Sequence, residues 1–385
     1  MTANSFPNSG EIIVHVFGKT DVGRTREHNE DSFVVADLNT MNATLQPEVR
    51  THHPAKLGSL FMVADGMGGA AAGEVASAMA TEVVLQELDT RWRSASTHDT
   101  ETFARAIKAA TETANARIHR YAAEHPENRG MGTTATIAGF LGDTLYLAQV
   151  GDSRAYLVRN GVALQITKDQ SLMQKLVEAG ELTAEEAEVS ERRNIILQAL
   201  GPEPVVKVDL TYQQVHLGDV LILCSDGLSG QIRTNDISRV VAEDPDLVDV
   251  CKHLIDLANE NGGPDNITVI AVRFDGTGLS AASAGDGVGH QVYTSQSESR
   301  ATIPVDLGAI QAADAAAHAM PKTDHTVTLP RQPQTPVARN SPTTPMAPVS
   351  RASVPEGRVP KSVLQLIFGV IALGVIAYAV YKYRS

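Results

Sequence analysis

Apolar positions between about residues 11 and 275 fall into two rhythms. Short β-branched or apolar runs bounded by Gly, Asp or Asn predict strands at "IIVHVFG", "DSFVVAD", "SLFMVAD", "TTATIAGFLG", "DTLYLAQVGD", "RAYLVRNG", "VKVDLTYQQV", "DVLILCSD" and "NITVIAVRF". The "RNG" at 159–161 is a strong hairpin cue, because Asn-Gly supplies the positive φ of a tight turn. The second rhythm repeats at three or four residues. It places Val75, Met79, Val83 and Leu88 on one helical face, and Phe103, Ile107, Ala110, Ala114, Ile118 and Tyr121 on another. "SLMQKLVEAGELTAEEAEV" and "LVDVCKHLIDLANEN" predict two more helices. Strands and helices that do not strictly alternate predict an α+β class, with packed antiparallel sheets and helices outside.

Beyond residue 275 the pattern changes. Residues 276–361 are rich in Ala, Ser, Thr, Pro and Gly and predict a disordered linker, spanning roughly 50 Å as a flexible coil. Then "VLQLIFGVIALGVIAYAVY", residues 363–381, runs for about 19 uncharged residues, or about 28 Å of helix against a hydrocarbon core of about 30 Å. Basic residues flank it and tyrosines lie near its end, predicting a single C-terminal transmembrane helix over 362–381 with a short tail at 382–385. The start, residues 1–10, has neither a basic nor an apolar leader region and is expected to be a disordered N-terminus. A folded domain at 11–275, held in the cytoplasm at the cell membrane, is the organisation these features predict.

Composition narrows the chemistry. The 385-residue chain carries a formal net charge of −13, and the segment after Phe274 is nearly balanced, so the acidity belongs to the folded domain. That argues against a nucleic-acid partner. Two cysteines imply no disulfide framework. The acidic residues have pattern: Asp65 and Asp226 end apolar runs and precede glycines, Asp152 ends another, Asp265 opens the last strand, and Glu30 and Asp31 precede "SFVV". Any one Asp-Gly suits a turn. Together at meeting strand ends, these carboxylates would need raised pKa values or cations among them. With no cysteine pair and no His-Glu-x-x-His, an all-oxygen set disfavours zinc and suits Mg2+ or Mn2+. Gly66 and Gly227 are expected to let the backbone approach metal or substrate closely.

"RTREHNEDSF", "VADGMGG", "MGTTAT", "VGDSRAYLVRNG", "SDGL" and "GPDNITV" occur in the order and approximate spacing of the metal-dependent, protein phosphatase 2C-like family of bacterial type, which the chain resembles over about residues 11–275. The resemblance implies a sandwich of two antiparallel sheets flanked by helices, with a binuclear Mg2+/Mn2+ centre at one edge. It implies that Asp65 bridges two metals, that Asp226 and Asp265 complete the first, and that Glu30 and the Gly66 carbonyl serve the second. Asp31 would lie in an outer shell, Asp152 would belong to a third, weaker ion site, and Asn266 would lie beside the first. Arg26 would grip the substrate phosphate. The implied activity is hydrolysis of phosphoserine and phosphothreonine in proteins by activated water, in opposition to a Ser/Thr kinase; the rival is a non-catalytic phosphoprotein-binding scaffold. A small phosphorylated metabolite is a third substrate class. A cysteine-phosphatase loop is absent, since Gly230 and Leu257 stand six positions after Cys224 and Cys251 where Arg is required. Departures from the family pattern are Met67 where some relatives have His, "DQS" at 169–171 for Asp-His-Ser, and "SERRNIILQALG" without a common His-Pro. They bear on leaving-group protonation and on the flap over 169–198.

Overall fold

The structure is a computed structural model and describes residues 10–43, 50–68, 72–190 and 192–294. The first ten-residue segment, except Gly10, and the predicted linker after 294 and transmembrane segment lie outside the described residues. Among the described residues no helix is long and apolar enough to cross a membrane.

The strands are β1 (Ile13–Asp21), β2 (Asp31–Asp37), β3 (Thr51–His52), β4 (Ser59–Met67), β5 (Gly132–Thr133), β6 (Ala135–Leu141), β7 (Thr144–Val150), β8 (Arg154–Arg159), β9 (Val162–Gln165), β10 (Asp209–Gln214), β11 (Val220–Cys224) and β12 (Ile267–Asp275). The helices are α1 (Ala72–Leu88), α2 (Thr100–Glu124), α3 (Leu172–Glu178), α4 (Ala184–Glu188), α5 (Asp226–Ser229), α6 (Thr234–Glu243) and α7 (Leu247–Glu260). Each predicted strand is present, and β3, β5 and β9 are additional. One sheet runs β3-β1-β12-β11-β8-β9; the other runs β10-β7-β6-β4-β2, with β5 paired to β4. Every pairing is antiparallel. The α+β expectation with two packed antiparallel sheets therefore holds.

Three apolar layers hold the stack. Between the sheets lie Phe61, Val63, Phe140, Leu147, Leu223 and Phe274. The second sheet packs its other face on α1 and α2 through Met62, Val84, Trp92, Phe103 and Ile107, and the first packs on α6 and α7 through Ile222, Ile237, Leu254 and Val269. Two-faced burial explains why the central strands read as unbroken apolar runs. Ala76 and Ala80 of α1 are fully buried, and their small side chains let that helix lie close over β4 and β2.

Turn chemistry works as the sequence predicts at β8–β9, where Asn160 and Gly161 both have positive φ, 52° and 77°. The predicted helix over 171–189 is two short ones, α3 and α4, with Gly180 at φ 73° between them. The polar pattern sets the end of the folded region at 275, but the structure carries contacts to Tyr293. Residues 276–293 return along β10: Tyr212 N–H donates to the Gln291 carbonyl at 2.9 Å and Tyr293 N–H to Leu210 at 2.9 Å. Backbone bonds are joined by three isolated apolar anchors, Leu279 and Val288 on the inter-sheet core and Tyr293 against Tyr146 and Tyr212, too widely spaced to form a strand or helix pattern.

Candidate metal centre and cleft

The two sheets bring the predicted acids to one edge. Asp31, the first residue of β2, lies directly across from Asp65 of β4 in the strand register. Strand β4 continues two residues past Asp65, to Met67. Asp226 opens α5 immediately after β11, Asp152 lies in the bend after β7, and Asp265 stands two residues before β12. Glu30 and Arg26 come from the β1–β2 connection.

Electrostatics show how tightly they are gathered. Burial first, then the charges of Asp31, Asp226, Asp152 and Asp265, hold the Asp65 carboxyl well above the ordinary range. Burial and then Asp265 raise Asp226, which also shares a side-chain hydrogen bond with Asp65. Burial pushes Asp31 up to about 7 and Asp152 up to about 8, the latter helped by Asp226 and Asp169. Glu30 is raised by burial, and Arg26 opposes the shift. Carboxylates taken from water without enough positive charge stay protonated or collect cations.

The surroundings position these acids by hydrogen bonds. Ser225 Oγ and Thr268 Oγ1 both donate to Asp31 Oδ2, at 2.8 and 2.7 Å. Asp65 N–H donates to Thr134 Oγ1 at 2.9 Å, and the Asp65 carbonyl accepts from Thr133 Oγ1 and from Thr134 N–H, each at 2.9 Å. Thr134 Oγ1 also meets Ser153 Oγ at 2.8 Å, so one buried hydroxyl links Asp65 to the loop of Asp152. The "MGTTAT" motif thus holds the Asp65 peptide. Its hydroxyl pair at 133–134 was the available signal, and residue typing alone assigns it no role. Asn266 spends its amide on the backbone: Nδ2 donates to the Val22 and His28 carbonyls at 3.0 and 2.9 Å, and Oδ1 accepts from Glu30 N–H at 2.8 Å. It fixes the loop that carries Arg26 and Glu30.

The glycines at these strand ends sit where chain segments cross. A Cβ on Gly66 would fall 2.2 Å from the Gly73 carbonyl oxygen and 2.5 Å from that of Glu30, and one on Gly227 would fall 2.0 Å from the Asn266 carbonyl oxygen. Each gives room to neighbouring backbone at the crossing of chain segments. Gly73 serves Glu30 itself, since a Cβ there would lie 2.9 Å from Glu30 Oε2.

Arg26 is half exposed, and its Nη2 donates to Asp265 Oδ2 at 2.8 Å. Asp31 Oδ1 and Asp152 Oδ1 are buried with no hydrogen-bond partner. Among the described residues no group of three or more His, Cys, Asp or Glu side chains forms a closed ion cage. Orphaned buried oxygens, raised carboxyls and an all-oxygen donor set nevertheless fit hard divalent cations.

Asp152, Asp226 and Asp265 line a cleft of about 640 Å³ that continues along α3 and α4. Asp169 closes one wall through a bidentate pair with Arg154, Nε at 3.0 Å to each oxygen and Nη2 at 2.7 Å to Oδ2. Gln170, which stands where many relatives have His, accepts from Gly151 N–H at 3.1 Å and so braces the loop beside Asp152. Ser171 caps α3, accepting from Gln174 N–H at 3.2 Å. The changed triplet therefore keeps positioning contacts at all three of its places. Cys224 and Cys251 are buried, and burial pushes both thiols up to about 12, which leaves no thiolate for nucleophilic attack.

A protein phosphatase 2C family model matches residues 48–269. The serine/threonine phosphatase stp of Listeria monocytogenes is 36% identical over 262 residues, covering 68% of this chain and 96% of its own length. The crystal structure of the Mycobacterium tuberculosis serine/threonine phosphatase PstP/Ppp superposes with a TM-score of 0.57 at 34% identity, over 68% of this chain and 99% of that one. The catalytic domain of PstP in complex with two manganese ions superposes at 0.55 and 34% identity, over 69% and 99%.

Proposed function

The chain belongs to the protein phosphatase 2C family of metal-dependent serine/threonine phosphatases, and from that membership we propose that it hydrolyses phosphoserine and phosphothreonine in proteins at a binuclear Mg2+/Mn2+ centre. Carrying most weight is the set of buried, charge-crowded carboxyls around Asp65, short of positive charge and open to a cleft. Asp65, Asp226 and Asp265 would hold one ion, and Asp65, Glu30 and the Gly66 carbonyl the other. Asp31 and Asn266 would support them, and Asp152 would serve a third ion. Two bound manganese ions in PstP fit this donor set. When bound, such ions supply Lewis acidity toward phosphoryl oxygen and acidify water at neutral pH.

The chain's own residues set the rest of the reaction. Arg26, held in place by Asp265, presents a planar donor fork at the cleft floor. An incoming phosphate dianion competes with that carboxylate for the guanidinium, and bidentate Arg–phosphate bonding orients the phosphorus for in-line attack. Ser225 and Thr268 keep Asp31 fixed through two hydroxyl donors. Thr133 and Thr134 fix the Asp65 backbone. No covalent phospho-enzyme is required.

The apolar run at 363–381 supports a membrane anchor by its length; so anchored, the domain would work at the cytoplasmic face of the cell membrane on substrates of a Ser/Thr kinase. Phosphate release by the full-length chain from a phosphothreonine peptide, with Mn2+, with Mg2+ and with EDTA, tests the proposal. Metal-dependent release is expected. Folded protein that binds the peptide without turnover would favour the scaffold alternative.

A further inference from the structure

The cleft has an acidic floor and a basic outer wall. Asp152, Asp226 and Asp265 line the inner part, while Arg193 and Arg233 line the part formed by α4, the loop after it and the start of α6. Both arginines are exposed. Arg233 Nη1 donates to Glu188 Oε2 at 2.8 Å, across from α6 to α4, with the two side chains 69% and 47% exposed. The remaining cleft arginines are engaged within the protein, Arg26 with Asp265 and Arg154 with Asp169. The Arg193 guanidinium has no ion-pair or hydrogen-bond partner among the described residues. An arginine with no such partner among the described residues thus lines the same cleft as one held only by a surface pair.

We propose that Arg193 and Arg233 select substrates, favouring phosphoproteins with acidic residues flanking the phosphorylated Ser or Thr. The inference rests on the phosphatase reading of this cleft. A Glu or Asp side chain of the substrate replaces Glu188 on Arg233 and meets Arg193 directly. Exchange is easy because an exposed ion pair contributes little and is screened by salt. Glu188 acts as an internal competitor, so the resting contact that ties α4 to α6 is also the one that an acidic substrate opens. A neutral or basic flank gains nothing from the outer wall. This would let an acidic domain, net charge −13 over the whole chain, engage acidic substrates despite overall repulsion.

The test compares kcat/KM on three phosphothreonine peptides that differ only in Glu, Gln or Lys flanking residues, at low and at high ionic strength, using the full-length chain with Mn2+. The wild-type chain is expected to prefer the Glu over the Gln peptide by about 2- to 10-fold at low salt, a ratio that shrinks as salt rises. Arg193→Glu with Arg233→Glu inverts the order in favour of the Lys peptide. Glu188→Gln removes the competitor and widens the preference for Glu. Ratios within one enzyme cancel any general loss of activity in a variant. Turnover indifferent to flanking charge in wild type, or an unchanged ratio in the double variant, overturns this inference alone. No turnover of any peptide overturns the phosphatase reading and this inference with it.

Discussion

Charge is buried in opposite ways beside Arg159 and around Asp65. Arg159 and Asp219 are 7% and 2% exposed, and their bonding is complete. Arg159 donates to Asp219 from Nε at 2.9 Å and from Nη2 at 2.6 Å, and to the carbonyls of Gln214 and Asp286 at 2.8 and 3.0 Å. His216 N–H adds a bond to Asp219 at 2.8 Å. The pair ties β8, the turn before β11 and the returning segment together. Around Asp65, by contrast, several carboxyls share one half-exposed arginine, and two buried oxygens have no partner. A saturated buried charge marks structure; an undersupplied one marks a place where something else must bind.

Substitutions should separate the two regions. The largest effect falls on turnover: Asp65→Asn is expected to lower kcat by more than the about 10³-fold that losing one electrostatic stabiliser costs. The metal-free variant should unfold no more easily than wild type, because a desolvated, repelled carboxyl has been removed. Phosphate release and urea unfolding measure the two halves of that statement. Asp219→Ala should do the reverse, costing about 3–5 kcal/mol of stability by stranding Arg159, with kcat of the folded protein near wild type.

Next in size is a pH effect. Asp31 and Asp152 titrate above their ordinary value, so the native chain keeps protons that the unfolded chain has released. Their contribution to stability is therefore fully present at low pH and is lost as pH rises toward about 7 to 8. Melting temperature of the metal-free chain should decline from about pH 5 to 8, and saturating Mn2+ should remove the decline, since ions favour the deprotonated carboxylates. A flat profile without metal would remove the charge-crowding explanation. Smallest is Thr268→Val, which deletes one of two hydroxyl donors to Asp31. Mn2+ dependence of turnover should shift by about 10- to 100-fold, as loss of an outer-shell contact does, and kcat at saturating Mn2+ should fall less.

Much of this was legible in the chain because strands buried on both faces read as unbroken apolar runs, with the acids at or within two residues of their ends. The location of Asp31, Asp65, Asp152, Asp226 and Asp265 at strand ends follows from that pattern. What joins the ends is less visible. Thr133, Thr134 and Ser153 act through single hydroxyls whose partners lie far along the chain, so residue type alone gives no hint of them. Helix α6 carries an apolar stripe through Ile237 and Val240, but its ten residues complete fewer than three turns. The returning segment is held by backbone bonds, by polar pairs such as His290 Nε2 with Asp209 at 2.7 Å, and by scattered apolar anchors such as Leu279 that follow no period. Gly66 and Gly227 were visible as special positions. Their reason, contact with another backbone, depends on tertiary crossings that no local pattern contains.

Calorimetric titration of the full-length chain with Mn2+ in two buffers of different ionisation enthalpy tests the central claim most directly, because it counts ions and protons together. The account predicts binding of at least two ions with proton release at neutral pH, abolished or halved by Asp65→Asn and retained by the Ser225→Ala and Thr268→Val chains at lower affinity. Folded protein that takes up no Mn2+, or binds it equally well without the Asp65 carboxylate, would contradict it.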